Sequence, residues 1–130
     1  MKAVILAAGL GTRLNNNWTI VPKPLIEVGN RRIIEHVILN LKESGINEFL
    51  IITGFMSEHI KDFLRDGTDL NVSIKYIYNK DYKKDSIFSL LKAKDHIEGP
   101  FIVSMADLFF DSSVISELLE ESQSGKNLVL

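Results

Sequence analysis

Between Leu6 and Pro24 the chain gathers residue types suited to holding phosphate. In the run Leu6-Ala-Ala-Gly-Leu-Gly-Thr-Arg-Leu14, small residues let the backbone approach a ligand closely, and successive N–H groups can point at phosphate oxygens. Arg13 adds a planar fork that can grip two phosphate oxygens at once, and Thr12 adds a hydroxyl donor. Lys23 sits between Pro22 and Pro24, whose restricted backbones hold its ammonium on a stiff segment. Amides plus two cations suit a polyphosphate.

The elements that must position these residues are legible from periodicity. Short apolar runs at Ala3 to Leu6, Phe49 to Thr53, Val72 to Tyr78, Phe101 to Met105 and Leu128 to Leu130 predict strands. Helical patterns fall at Arg32 to Lys42, Glu58 to Leu64, Ile87 to His96 and Val114 to Glu121. Gly45, Gly67 and Gly99 stand where helix C-termini favour a left-handed residue, and Ser57, Asp85 and Ser112 or Ser113 are N-cap candidates. Strand and helix alternate, and the strands are nearly continuous apolar runs. The pattern therefore predicts an α/β fold, a mainly parallel sheet with helices on both faces. Ala7 to Gly29 is the long irregular segment, and its Gly, Arg and Lys content favours function. The closing residues resemble a strand just begun, so the sequence is expected to be the N-terminal part of a longer chain.

The 130 residues, 45% hydrophobic and 25% charged, fit one compact domain with a real core. A formal charge of −2 gives no bulk attraction to nucleic acid or anionic membrane, so affinity for anions must be local. With no cysteine, disulfides, thiolate metal sites and Cys nucleophiles are excluded, as is ordinary in a cytoplasmic protein. The apolar N-terminus is interrupted by Gly9, Gly11 and Arg13 before it could serve as a signal or a membrane span.

Glycine loops of other classes fit poorly. A P-loop ends in Gly-Lys-Ser/Thr, whereas Gly11 is followed by Thr12 and Arg13. A dinucleotide fingerprint wants a small third residue where Leu14 stands, and an acid closing the second strand where Gly54 stands. The sequence instead resembles the nucleotidyltransferases that activate sugar phosphates and alcohol phosphates. Their signature pairs a Leu-Ala-Ala-Gly-x-Gly-Thr-Arg-Leu loop with Pro-Lys-Pro-Leu, present here as Leu6 to Leu14 and Pro22 to Leu25. The resemblance extends to Phe101-Ile-Val-Ser-Met-Ala-Asp107 and implies a Rossmann-like three-layer α/β/α fold of the nucleotide-diphospho-sugar transferase type, with residues 1–130 as a single nucleotide-binding domain.

It also implies roles. Leu6, Ala7, Ala8, Gly9, Gly11 and Thr12 would hold base and phosphates, Arg13 would clasp the β- and γ-phosphates, and Lys23 would neutralise the α-phosphate, making Arg13 and Lys23 the catalytic pair. Asp107 ends an apolar run on the same rim and is the candidate magnesium ligand. The family commonly carries Gly-Asp there, whereas this chain has Ala106-Asp107; an Asp after a strand can equally be a turn or cap, a role that suits Asp111. Asn79 to Ile87 resembles the base-reading loop, and Asp85-Ser86 is similar to the pair of cytidylyltransferases in which the serine contacts cytosine. An N-cap at Asp85 or Ser86 is the competing reading, and both can hold together.

The resemblance thus implies a nucleoside triphosphate, favouring CTP, a phosphorylated alcohol, polyol or sugar as acceptor, and Mg2+. It implies no nucleic acid and no membrane span, and leaves a homo-oligomer open. The acceptor site and a second acidic metal ligand are expected beyond residue 130. His36, His59 and His96 lack ligand spacing. Trp18 could lid the nucleotide or simply anchor its loop. Lys80, Lys83 and Lys84 form a solvated face or steer anions. Within the family, a UTP-, dTTP- or GTP-dependent sugar-1-phosphate nucleotidyltransferase is the alternative; outside it stand a non-catalytic nucleotide-binding regulatory domain, which the retained Arg13, Lys23 and Asp107 oppose, and a dinucleotide-dependent oxidoreductase, which Leu14 and Gly54 oppose.

Overall fold

A computed structural model describes residues 1–9, 11–14, 20–108 and 110–125. Its frame is a four-stranded sheet made of β1 (Lys2–Ala7), β6 (Glu48–Thr53), β7 (Ser73–Tyr78) and β8 (Phe101–Met105), in the order β7-β6-β1-β8. All three pairings are parallel, so the four carboxyl ends share one edge. The register aligns Leu6 with Ile52 on one side and with Met105 on the other, and the Ala106 amide extends the ladder to the Leu6 carbonyl at 3.1 Å.

Strand order reverses between β1 and β8, since the chain steps from β1 through β6 to β7 and then returns to the other side of β1. Helices reach both faces for that reason: right-handed crossovers in opposite directions place their helices on opposite sides. α1 (Ile33–Glu43), α2 (Ser57–Leu64) and α4 (Ser112–Ser122) bury Ala3, Ile5, Phe49 and Ile51, while α3 (Ser86–Ala93) lies on the face carrying Val4, Leu6, Leu50 and Ile52. The period-two alternation along β1 and β6 divides these sets. α1 buries Ile34, Val37, Ile38 and Leu41, the spacing of one helical stripe. This is the Rossmann-like three-layer architecture.

The segment 7–29 is not irregular as expected. β2 (Thr12–Leu14) pairs antiparallel with β3 (Ile20–Pro22), a 3-10 turn spans Lys23–Leu25, and β4 (Glu27–Val28) pairs with β5 (Arg31–Arg32). These strands are two or three residues long, too short to leave a periodic signature.

Helix starts also differ. Met56, in the left-handed region at φ 56, precedes α2, while Ser57 lies inside the helix and donates its hydroxyl to Thr53 Oγ1 at 2.8 Å. Asp111 caps α4 by accepting from the Ser113 amide at 2.9 Å, so neither Ser112 nor Ser113 is the cap. α3 stops at Ala93 and tightens into a 3-10 turn at Lys94–His96. Gly45, Gly67 and Gly99 do take positive φ. The expected strand at Leu128 to Leu130 and the Trp18 loop lie outside the described residues.

Candidate functional site

The strand order reverses between β1 and β8, and the carboxyl edge at such a reversal is where open α/β sheets bind ligands. From the β1 side of that edge run Ala7 and Ala8, both buried, then Gly9, exposed with open space around it. The loop returns through β2, where Thr12 pairs with Pro22 and Arg13 with Val21. The side chains of Thr12 and Arg13 are outside what the structure describes.

Lys23 is placed by its backbone. Its amide donates to the Gly11 carbonyl at 2.9 Å, and the prolines on either side begin the 3-10 turn. A side chain at Gly11 would stand 3.6 Å from Lys23 Cβ, so the glycine loop and the lysine stem are in van der Waals range. From the β8 side comes Asp107, one residue past the buried Ala106. Lys23 Nζ lies 2.8 Å from Asp107 Oδ2, with side chains 40% and 27% exposed. Residues 84 apart in sequence thus meet across the strand reversal, joining the catalytic lysine expected from the sequence to the expected metal ligand. An ion pair this exposed contributes at most about 1 kcal/mol to folding.

Asp107 suits a hard cation. Magnesium binds through one or two carboxylates plus phosphate oxygens and water, and a partly exposed carboxylate on this rim has the chemistry of such a donor. Among the described residues no group of three or more His, Asp or Glu side chains could hold a metal.

The base-side segment divides in two. Asp85 and Ser86 are exposed at the start of α3, with Ser86 Oγ donating to Asp85 Oδ1 at 3.2 Å and the Phe88 amide donating to the Asp85 carbonyl at 3.0 Å. Asp85 holds the N-cap position without a side-chain cap bond, so both side chains face outward at the helix N-terminus. Asn79, by contrast, is fully buried. Its Nδ2 donates to Ser89 Oγ at 3.1 Å, its Oδ1 accepts from the Asp81 amide at 2.9 Å, and its amide donates to the Thr53 carbonyl at 2.7 Å. Its side chain serves the protein interior.

Gly54, which in the sequence argues against dinucleotide binding, is a tight packing point in the structure. A methyl there would stand 2.3 Å from Tyr82 Cβ and 2.9 Å from the Ala8 carbonyl. The end of β6 is therefore where the glycine loop and the base-side loop touch, and only hydrogen fits between them. A glycine directly after a buried strand is the available sequence signal for such an approach. Lys84, of the basic cluster, pairs with Asp81 at 3.7 Å and lies 5.3 Å above the Phe88 ring, which ties it to its own loop. His36 Nε2 is 2.8 Å from the Val28 carbonyl. Among the described residues no helix is long and apolar enough to cross a membrane.

Comparison with known proteins matches this geometry to a class. The family model described as nucleotidyl transferase matches residues 2–129, and the chain belongs to that family. Within it, the chain is 33% identical over 119 residues to the choline-phosphate cytidylyltransferase of Streptococcus pneumoniae, covering 91% of this chain and 50% of that protein. It is 38% identical over 129 residues to the bifunctional IPC transferase and DIPP synthase of Archaeoglobus fulgidus, covering 99% of this chain and 24% of that protein. The chain thus spans half or less of these relatives. A putative glucose-1-phosphate thymidylyltransferase from Bacillus anthracis superposes with a TM-score of 0.80 at 29% identity, over 96% of this chain and 51% of that one.

Proposed function

We propose that the protein transfers a nucleoside monophosphate, favouring CMP from CTP, to a phosphorylated alcohol, polyol or sugar, with release of pyrophosphate. The observation that carries the reading is the meeting of Lys23 and Asp107, at 2.8 Å, beside the glycine loop at the carboxyl edge of the sheet. In the reaction an acceptor phosphate oxygen forms a bond to the α-phosphorus as the bond to the bridging oxygen of the β-phosphate breaks. Pyrophosphate departs with that electron pair, and no proton relay is required. Several anionic groups crowd together, so fixed donors and cations supply most of the stabilisation.

Each partner in the ion pair offers what the ligand needs. Lys23, released from Asp107, would meet the α-phosphate on a stem held by Gly11. Asp107, released from Lys23, would hold magnesium, which when bound neutralises triphosphate charge. Arg13 and the amides of Ala8, Gly9 and Gly11 are assigned to the phosphate tail, with Leu6, Ala7 and Thr12 completing the cradle. Asp85 and Ser86 are assigned to the base, supported by their outward position at a helix N-terminus with unused N–H donors. Residues 1–130 would act as one nucleotide-binding domain. The similarity to the choline-phosphate cytidylyltransferase supports cytidine; a UTP-, dTTP- or GTP-dependent sugar-1-phosphate nucleotidyltransferase is the second reading, for which the similarity to the thymidylyltransferase structure is the support.

A pyrophosphate-release screen of CTP, UTP, dTTP and GTP against phosphorylated acceptors, on the whole protein with magnesium, separates them. Release with CTP above the others is the expected result. Release with UTP, dTTP or GTP alone selects the second reading, and nucleotide binding without release with any acceptor points to a regulatory domain.

A further inference from the structure

Four polar side chains are buried among the described residues: Thr53, Ser57, Asn79 and Ser89. They are not scattered. Ser57 Oγ donates to Thr53 Oγ1 at 2.8 Å, and the Thr53 carbonyl accepts from the Asn79 amide at 2.7 Å. The Asn79 side chain then donates to Ser89 Oγ at 3.1 Å and accepts from the Asp81 amide at 2.9 Å. One connected set thus links the end of β6, the start of α2, the end of β7, the loop after it and the middle of α3, with no buried side-chain nitrogen or oxygen left unpaired.

A satisfied network of this kind contributes little net stability, yet it is costly to leave half made and it admits one geometry. Apolar packing is non-directional and could seat α3 in several ways. Just above the network, Tyr82 rests on Gly54, whose missing side chain leaves room for Tyr82 Cβ and for the Ala8 carbonyl. The loop from Lys80 to Ser86 is therefore pinned from below by Asn79 and laterally by the Gly54 seat. Its position is fixed relative to the glycine loop.

We propose that Asn79 and Ser89 are positioning residues that set nucleotide selectivity without touching the nucleotide, by holding Asp85 and Ser86 at a fixed height beside the glycine loop. The inference rests on the nucleotidyltransferase reading and deepens it: discrimination among bases comes from a buried amide–hydroxyl pair acting through an exposed one.

The test uses Asn79→Ala, Ser89→Ala and the conservative Ser89→Thr in the whole protein. Two measurements are made on each: amide hydrogen exchange, and the CTP-to-UTP ratio of kcat/KM. Losing the Asn79 partner should speed exchange at the Asp81 amide about tenfold or more, whereas the Lys23 amide, bonded to Gly11 on the other side of the site, should be unchanged. In Ser89→Ala the nucleotide KM should rise about tenfold with kcat within about threefold, and the CTP-to-UTP ratio should fall by a similar factor, with Ser89→Thr restoring both. Asp81 exchange that stays slow in both alanine variants overturns the positioning role. Faster exchange with an unchanged base ratio overturns the selectivity claim. Ser89→Ala, which removes the partner of Asn79 Nδ2, should speed the same exchange to a lesser degree, so if Asn79→Ala does not fold, Ser89→Ala alone decides both points. A wild-type protein that releases pyrophosphate from none of the four nucleotides refutes the transferase reading, while the exchange result still decides whether Asn79 pins the loop.

Discussion

One face of the sheet is closed by α1, α2 and α4 over a continuous apolar core that includes Ala3, Ile5, Ile38, Ile51, Ile60 and Ile115; the other carries α3, whose Ala93 packs with Val4, Leu6, Leu50 and Ile52. α3 also keeps Ile87, Phe88 and Leu91 at its surface. The helix that begins at Ser86 thus has the smaller apolar footprint, and its buried Ser89 hydroxyl accepts from Asn79 Nδ2 at 3.1 Å. Burial energy scales with area and has no direction, whereas a hydrogen bond fixes orientation. The broad face is suited to stability and the narrow one to placement.

The largest expected effect lies on the rim that belongs to neither face. Lys23→Ala in the whole protein should lower kcat by about 10²–10³-fold, the scale of losing one fixed stabiliser of developing charge. Urea stability should move by less than about 1 kcal/mol, because the pair with Asp107 is exposed. A variant as active as wild type would remove the catalytic assignment and leave Lys23 as a surface cation.

Core truncations test the comparison directly. Ile38→Ala, on the fully buried stripe of α1, should cost roughly 2–5 kcal/mol in urea denaturation. Leu90→Ala, half-buried on the α3 side, should cost clearly less while raising nucleotide KM. Equal losses from the two would show that the faces contribute alike and would end the distinction drawn above.

Gly54→Ala sharpens it at the junction. The added methyl meets Tyr82 Cβ at 2.3 Å and a backbone oxygen at 2.9 Å, an overpacking worth about 1–3 kcal/mol. Adding Tyr82→Ala should restore little, since alanine keeps the offending Cβ; adding Tyr82→Gly should restore more. Thermal midpoints of the two double variants measure the difference, and equal midpoints would exclude the contact as the cause.

The smallest effect concerns the cap of α4 on the broad face. Hydrogen bonds from the Ser113 hydroxyl and amide hold the Asp111 carboxyl below its ordinary value of 3.8. A depressed folded value means that the cap's contribution is present above the ordinary carboxylate range and fades as pH falls through the lowered one. Asp111→Asn, which still accepts the Ser113 amide but cannot titrate there, should show a slightly shallower acid loss of helicity by circular dichroism. An identical acid limb in the two proteins would dismiss the cap as a contributor.

Much of this was legible in the residue order. Ala3 to Leu6 and Phe49 to Thr53 declare themselves as buried strands because both faces are covered, and Ile34, Val37, Ile38 and Leu41 declare α1 by their spacing. Lys23 and Asp107 could each be singled out locally, one by its flanking prolines and one by the strand before it. Asn79 could be noticed but not understood: whether an amide faces a ligand or Ser89 depends on how α3 lands on the sheet. The short ribbons between Thr12 and Arg32 were invisible because two or three residues carry no period.

Local rules of backbone and burial, written in the sequence alone, determined the alternation of strand and helix, the left-handed glycines after the helices and the makeup of the phosphate loop. The tertiary structure decided what crosses from one element to another: Lys23 reaching Asp107 over the strand reversal, Tyr82 settling on Gly54, and Asn79 turning inward to Ser89. Such contacts join residues far apart along the chain, and their geometry is set by the packing of whole elements, which no short window of residues contains.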